Sequence, residues 1–427
     1  MLGAIGNWAL LIFIAFLALT GFLYMMRGTV VRHVRAVGAD GSPVGPWESQ
    51  FPLSVAMLTG TSLLSGNLVE LALNGDGTKL RLWDDLQSAT ESITLQLYYK
   101  NSGAMADTLQ HILIERAAAG VRVFLLYDAF GTQGLVRPSR RALEDAGVVV
   151  VPFRPLSLWR LHLLQNRSHV RGIVIDGRIG WTGGFGIDDK WFGDGLTNGS
   201  WRETNVRFEG PAVRQLQAAF AAAWAEATGV LLTGRMTMSR SDNGRTTAGL
   251  LQAIPTMGST AAERFLALSI AGATTSLYIT NPYFVPDRNF IGLLVDAARR
   301  GVDVRILTAG AHTDIRTVRM AGRASYARLL AAGVRIYEWK PSALHAKTFV
   351  ADGIWSTVGS INFDNRSLVL NDEATLMILD EGIGSQMTSV FFDDLAHADE
   401  ITVNGFRQRP WPDRIVEQAA NLLSPVL

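Results

Sequence analysis

The chain repeats itself, and that repeat constrains its fold more than any other feature. SITLQLYY at 92–99 is answered by SLYITNPYF at 276–284, and AAAGVRVFLLYDA at 117–129 by AARRGVDVRILTAG at 297–310. LEDAGVVVVPFRP at 143–155 is answered by LLAAGVRIYEWKP at 329–341, and SHVRGIVIDG at 168–177 by LHAKTFVADG at 344–353. In the middle pairs a helical stretch ends in Ala-Gly or Arg-Gly and gives way to an apolar, β-branched run, as where a helix C-terminus feeds a buried strand. Strands alternating with helices imply an α/β fold around a central, mostly buried sheet flanked by helices. Any two α/β domains share that rhythm. The last pair goes further, because it repeats polar residues as well as apolar period.

Two breaks rich in Gly, Pro and Ser, at 37–52 and 233–249, separate the repeats from each other and from the start of the chain. The first 26 residues carry no charged side chain, and the run from Trp8 to Met26 is long enough to span a bilayer as a helix. Basic residues follow this run (Arg27, Arg32, Arg35) rather than precede it, which argues for a retained anchor over a cleaved signal and keeps the following side cytoplasmic. The expected organisation is a transmembrane anchor at 1–27, a linker at 28–57, a first domain at 58–235, a linker at 236–249 and a second domain at 250–427. The expected location is the inner, cytoplasmic membrane, single-pass, with both domains on the cytoplasmic side. A net charge of +1 gives no sign of a nucleic-acid partner. With no cysteine, disulfides and thiolate metal sites are excluded.

The polar residues of the repeat form a pattern with chemical content. The second half reads His345-x-Lys347, Asp352, then Gly359-Ser360-x-Asn362; the first reads His169-x-Arg171, Asp176, then Gly183-Gly184. The two histidines are 176 residues apart, as are the two aspartates. On a strand, residues i and i+2 share a face, so each histidine projects beside its cation. A cation, a nucleophile or acid, and neutral donors around one point suit a tetrahedral phosphate. One half is incomplete for in-line displacement, which needs a base or nucleophile on one side and an acid on the other; two facing halves supply both. A single His-x-cation pair reads best as a polar strand face, but two copies in register favour a site.

HxKxxxxD followed by GSxN resembles the signature of the phospholipase D superfamily, and its doubling resembles the two-domain members. NGDG at 74–77, WRETNVRFEGPAV at 201–213, PYFVP at 282–286 and GSINFDNRSLVLNDEA at 359–374 look most like the cardiolipin synthase branch. The resemblance implies two tandem phospholipase D-type α/β domains related by a pseudo-twofold axis, and a two-step mechanism that needs no metal or other cofactor. One histidine attacks phosphorus to form a phosphohistidine, while the other protonates the leaving alcohol and then acts as base for the acceptor. Family habit makes His169 the nucleophile and His345 the acid and base, an order that could be reversed. The catalytic set is then His169, Arg171, Asp176, His345, Lys347 and Asp352, with the two aspartates read as turn and strand supports more than as reacting groups. Arg171, Lys347, Ser360 and Asn362 are expected to bind phosphate oxygens. Glu203 and Glu373 are each expected to orient the histidine of their own half.

The first motif departs from the family pattern twice: Arg171 stands where lysine is usual, and Gly186 where asparagine is. The leading expectation is transfer between two phosphatidylglycerols to give cardiolipin and glycerol, with phospholipid and membrane as partners. A hydrolytic phospholipase D, a phosphodiester nuclease and a lipid-binding module with a degraded first half-site are the alternatives. Two stretches mix basic and aromatic residues as membrane contacts do: 154–167, with Arg154, Trp159, Arg160 and Arg167, and 190–201, with Trp191, Phe192 and Trp201.

Overall fold

A computed structural model describes residues 2–25, 42–98, 101–132, 135–157, 165–234, 244–256, 258–425 and 427, with side chains in the first stretch described at 8–19 and 21. The first half contributes strands β1 (Leu64–Leu73), β2 (Ser92–Leu97), β3 (Arg122–Asp128), β4 (Val149–Phe153), β5 (Gly172–Ile175), β6 (Ile179–Gly183), β7 (Trp201–Arg202) and β8 (Thr204–Glu209). The second contributes β9 (Thr246–Ala253), β10 (Ser276–Thr280), β11 (Asp303–Ala309), β12 (Arg335–Trp339), β13 (Ala343–Leu344), β14 (Thr348–Ala351), β15 (Trp355–Gly359), β16 (Glu373–Leu379) and β17 (Ala398–Glu400).

Among the described residues, fifteen of these strands form one sheet. From its centre the order runs β1-β8-β6-β5-β2-β3-β4 in one direction and β9-β16-β15-β14-β10-β11-β12 in the other, with β17 added at the far edge. The two halves therefore mirror each other strand for strand. They join where β1 and β9 pair antiparallel, as a twofold relation requires. The four sequence repeats fall on β2 and β10, β3 and β11, β4 and β12, and β5 and β14. Strands β2, β3 and β4 are parallel to one another, as are β10, β11 and β12, and the inner strands of each half and the edge strand β17 pair antiparallel. Strands β2, β5 and β6 are buried along their whole length; the polar residues of β2 are buried with partners, Thr94 on Gln217 and Gln96 on Ser168. Helices Pro211–Thr228 and Ala261–Gly272 pack against the central strands, the second started by a reciprocal capping box between Thr260 and Glu263.

The segments expected as linkers carry structure of their own. Residues 51–57 of the 28–57 stretch lie in the helix Phe51–Thr59, which buries Phe51 and Val55 in the second half's core. There the Phe51 ring meets Trp355 edge-on at 5.0 Å. The last residues of the stretch, FPLSVAM at 51–57, are apolar but for Ser54, and that apolar surface has found a partner. Strand β9 likewise begins at Thr246, inside the 236–249 stretch, of which residues 236–243 lie outside the described set.

The expected anchor contains the helix Leu2–Met25. Its described large side chains, Trp8 to Leu19, are exposed. Side chains are described there only at 8–19 and 21, too few for a membrane span, and among the described residues no helix is long and apolar enough to cross a membrane. Arg27, Arg32 and Arg35 lie outside the described residues.

Candidate active site

The two halves interlock at the histidines. Ser168 bridges Asp372 in parallel, with the His169 N–H donating to the Asp372 carbonyl at 2.8 Å and the Asp372 N–H to the Arg167 carbonyl at 2.9 Å. The other half repeats this: β13 pairs in parallel with β7, and the His345 N–H donates to the Arg202 carbonyl at 2.8 Å. Each histidine is thus laid beside the residue preceding the other half's glutamate. Consequently His169 Nδ1 lies 2.9 Å from Glu373 Oε2, and His345 Nδ1 lies 2.6 Å from Glu203 Oε2. The expected pairing of each glutamate with its own half's histidine is corrected: the pairs are crossed. The cause is the parallel bridging across the junction, which moves each glutamate to the opposite site.

All four side chains are buried. Burial, reinforced by the charges of Arg171 and Lys347, holds both imidazoles well below the ordinary histidine range. Burial pushes Glu373 up to about 8 and Glu203 upward as well. Both effects disfavour a separated ion pair at either site.

The carboxylates are held differently. Glu373 accepts hydrogen bonds from Ser360 Oγ at 2.5 Å and Ser367 Oγ at 2.6 Å. Glu203 accepts from the Thr204 N–H at 2.9 Å and, more weakly, from Trp191 Nε1 at 3.4 Å. Gly184 occupies the repeat position of Ser360, and a Cβ there would run into the Glu203 carboxylate. NGDG supports the same glutamate: Asn74 accepts from the Glu203 N–H at 3.0 Å and donates its own N–H to the Glu203 carbonyl at 2.9 Å.

Both histidines, Arg171 and Asn362 line one cavity of ≈ 440 Å³. Arg171 is buried there with Nε and Nη1 lacking a hydrogen-bond partner, and Asn362 Oδ1 lacks one too. An unpaired buried guanidinium costs several kcal/mol unless an anion joins it, so the cavity is built for negative charge. Lys347 behaves otherwise. Its ammonium lies 2.9 Å from His345 Nδ1 and donates to the His345 carbonyl, and burial lowers it to about 7 against the pull of Glu203.

A family model described as "Cardiolipin synthase, PLD-like domain" matches residues 266–395. A cardiolipin synthase of a Geobacillus species is 36% identical over 394 residues, covering 90% of this chain and 77% of that one. The chain belongs to the cardiolipin synthase family. Cardiolipin synthase A of Pseudomonas putida is 33% identical over 365 residues, covering 85% of this chain and 76% of its own. A crystal structure of phosphatidylserine synthase from Haemophilus influenzae shares the fold, with a TM-score of 0.62 at 14% identity, covering 89% of this chain and 100% of that one.

Within this cardiolipin synthase-type site, several sequence expectations shift. Ser360, expected to face phosphate, is turned onto Glu373 and absent from the cavity wall. Asp176 and Asp352 stand at the far ends of β5 and β14, seven residues from the histidines, or about 23 Å of extended chain. Both adopt positive φ (52° and 54°) in Asp-Gly turns. Asp176 accepts from the N–H groups of Thr90, Glu91 and Ser92. Asp352 accepts from those of Thr274, Thr275 and Ser276. They staple β2 and β10, as supports and not reacting groups. Burial opposes the charge of Asp176, yet its hydrogen bonds from Ser92, Thr90 and Glu91 hold that carboxyl below the usual range.

The tryptophans of the 190–201 loop belong to the site itself, Trp191 buried and Trp201 half-buried. Trp191 and Trp201 pack around His345, with ring centroids at 5.4 Å and 5.1 Å, and line the cavity. In the other stretch Arg154 pairs with Glu226 and Asp372, and Arg167 donates to the Arg154 carbonyl; Trp159 and Arg160 lie outside the described residues. Sequence reasoning did not single out Tyr98, edge-on to His169 at 4.9 Å, or Arg366 and Asp364 in the wall, the latter pushed by burial up to about 7. The NFDNRS run beyond GSxN was the available signal for the last two.

Proposed function

We propose that this chain is a phosphatidyltransferase that joins two phosphatidylglycerols into cardiolipin and releases glycerol. The observation that carries the reading is the meeting of two histidines, one from each half and each backed by a buried carboxylate, on one cavity with an unpaired guanidinium. In the first step Nε2 of His169 attacks phosphorus, the P–O bond to the departing glycerol breaks, and His345 gives that oxygen its proton. In the second, His345 takes the proton of an acceptor phosphatidylglycerol hydroxyl, that oxygen attacks phosphorus, and the P–N bond breaks. Glu373 and Glu203 hold each ring by Nδ1, which directs Nε2 to the reaction. Arg171 and Asn362 bind the phosphate oxygens, and Arg171 supplies charge where the transition state gains it.

The halves at 58–235 and 250–427 act as one catalytic unit on the cytoplasmic side of the inner membrane. Leu2–Met25 anchors it in a single pass: 24 charge-free residues extend about 36 Å as a helix, against roughly 30 Å of hydrocarbon. Purified full-length protein given phosphatidylglycerol should yield cardiolipin and glycerol on thin-layer analysis. Phosphatidic acid as the dominant product would make the enzyme a hydrolase instead.

A further inference from the structure

The helix Trp411–Asn421 is amphipathic in the reverse of the usual sense. Its inward side carries a carboxylate: Glu417 is fully buried, accepting from Arg323 Nε at 2.9 Å and Arg409 Nε at 2.8 Å. Its large apolar side chains face out, while Ala420 packs inward with Val318 and Ala321. Spacings of four, four and three put Trp411, Ile415, Ala419 and Leu422 on one stripe. All four are exposed, Trp411 at 71% and Leu422 at 81%, and exposed Val416 and Leu423 widen the stripe. The double arginine clamp on Glu417 fixes the helix's rotation, so the stripe cannot turn inward without stripping a buried charge of its partners. Contiguous exposed apolar surface of this kind marks an interaction site.

Its place in the fold is beside the cavity mouth. Beyond the helix the chain returns to the site, where the Arg366 N–H donates to the Leu427 carbonyl at 2.8 Å and Asn365 Nδ2 to the Pro425 carbonyl at 2.6 Å. Arg366 lines the cavity. The helix Arg316–Ala331, on which Trp411–Asn421 packs, follows Ile315, another residue of the wall, itself 43% exposed.

We infer that Trp411–Asn421 lies in the phospholipid surface and holds the cavity mouth at headgroup level, an inference that rests on the phosphatidyltransferase reading above. A tryptophan at the end of the stripe suits the apolar–polar boundary of a bilayer. Arg407 and Arg414, both exposed, flank the stripe and complement anionic headgroups.

The absence of cysteine makes single labelling sites clean. The full chain carrying I415C, L422C or the distant S385C, each labelled with an environment-sensitive fluorophore, is reconstituted into phosphatidylglycerol–phosphatidylcholine vesicles containing a spin-labelled lipid quencher. The probes at 415 and 422 should shift to the blue and be quenched, and the probe at 385 should not. In parallel, the I415E/L422E variant should lose about tenfold of turnover on vesicles while keeping parental turnover on monomeric dihexanoyl phosphatidylglycerol. Aqueous, unquenched probes with vesicle turnover intact overturn the inference. Probes shielded without lipid quenching, as in contact with a second copy, overturn it too. Quenching at 415 and 422 in a parent inactive on both substrates leaves the lipid contact standing and removes the phosphatidyltransferase reading.

Discussion

The two half-sites share a plan and divide the labour. Around His169, the carboxylate is held by two serine hydroxyls, and the nearby cation, Arg171, is an unpaired guanidinium at the cavity wall. Around His345, the carboxylate is held by a backbone N–H and an indole, two tryptophans crowd the ring, and the cation, Lys347, is folded back against its own histidine. The half that departs from the family pattern is thus the one whose cation lines the cavity. Arginine stays protonated in a buried setting where lysine falls to about 7. The difference teaches that the first half-site is altered in residue without losing its cation from the cavity, where Arg171 lines the wall.

The comparison breaks at once if one half-site can act alone. His169→Ala and His345→Ala should each abolish cardiolipin formation, and the double variant should be no worse than either, because both serve one displacement. A single variant with near-parental steady-state turnover would show that the halves do not share a reaction. Next in size is the phosphate cation. Arg171→Ala should cost about 2–4 kcal/mol of transition-state stabilisation, and Arg171→Lys less. Equal turnover of the alanine variant and the parent would revive the degraded first half-site.

How far the sequence could be read is clear from particular residues. The four repeats located β2, β3, β4 and β5 and their counterparts because period and helix ends are local properties. His169, Arg171 and His345 reached one cavity although none lies within a strand: they stand in the short segments that lead into β5 and β14. The repeat thus located them while the strand alternation expected for them does not hold, and Lys347 is absent from the cavity wall. The crossed pairing of Glu203 and Glu373 was not legible: alternation says nothing of which strand lies alongside, and the bridges at Ser168 and Leu344 are two residues long or less. Ser360 misled for a related reason, since a donor near a site can serve phosphate or the carboxylate behind it. Trp191 and Trp201 resembled a lipid-facing loop because aromatic and basic residues in a Gly-rich segment suit both a surface and a pocket.

Smaller effects sharpen the comparison. Ser360→Ala should cost about 1 kcal/mol of turnover, seen in kcat and its pH profile more than in KM, since the hydroxyl acts through Glu373. A rise in KM alone would return Ser360 to phosphate binding. Smallest is a pH effect on stability. Burial raises Asp364 and Asp372 to about 7 and Glu373 to about 8, so the folded state holds protons that the unfolded chain releases from about pH 4 upward. That makes the slope of unfolding free energy with pH negative: the stabilisation is present below the unfolded pKa values and lost as pH rises toward 8. Lys347, lowered to about 7, contributes the opposite slope above that value. His169 and His345, held well below the ordinary range, oppose the fall below the unfolded histidine value of about 6.5, two imidazoles against three carboxyls. Tm should therefore fall between pH 5 and 7, and Glu373→Gln should flatten the fall; a rise over that range would contradict the buried, protonated carboxyls.

The crossing of the two halves is tested most directly at the imidazole nitrogens. With histidines labelled by ¹⁵N, the resonances of His169 and His345 are assigned by loss in the alanine variants and followed in Glu373→Gln and Glu203→Gln. Glu373→Gln should move the Nδ1 resonance of His169 and leave His345 in place, and Glu203→Gln should do the reverse. If His169 answered to Glu203 and His345 to Glu373, each half would be a self-contained site, and the interlocked centre described here would be wrong.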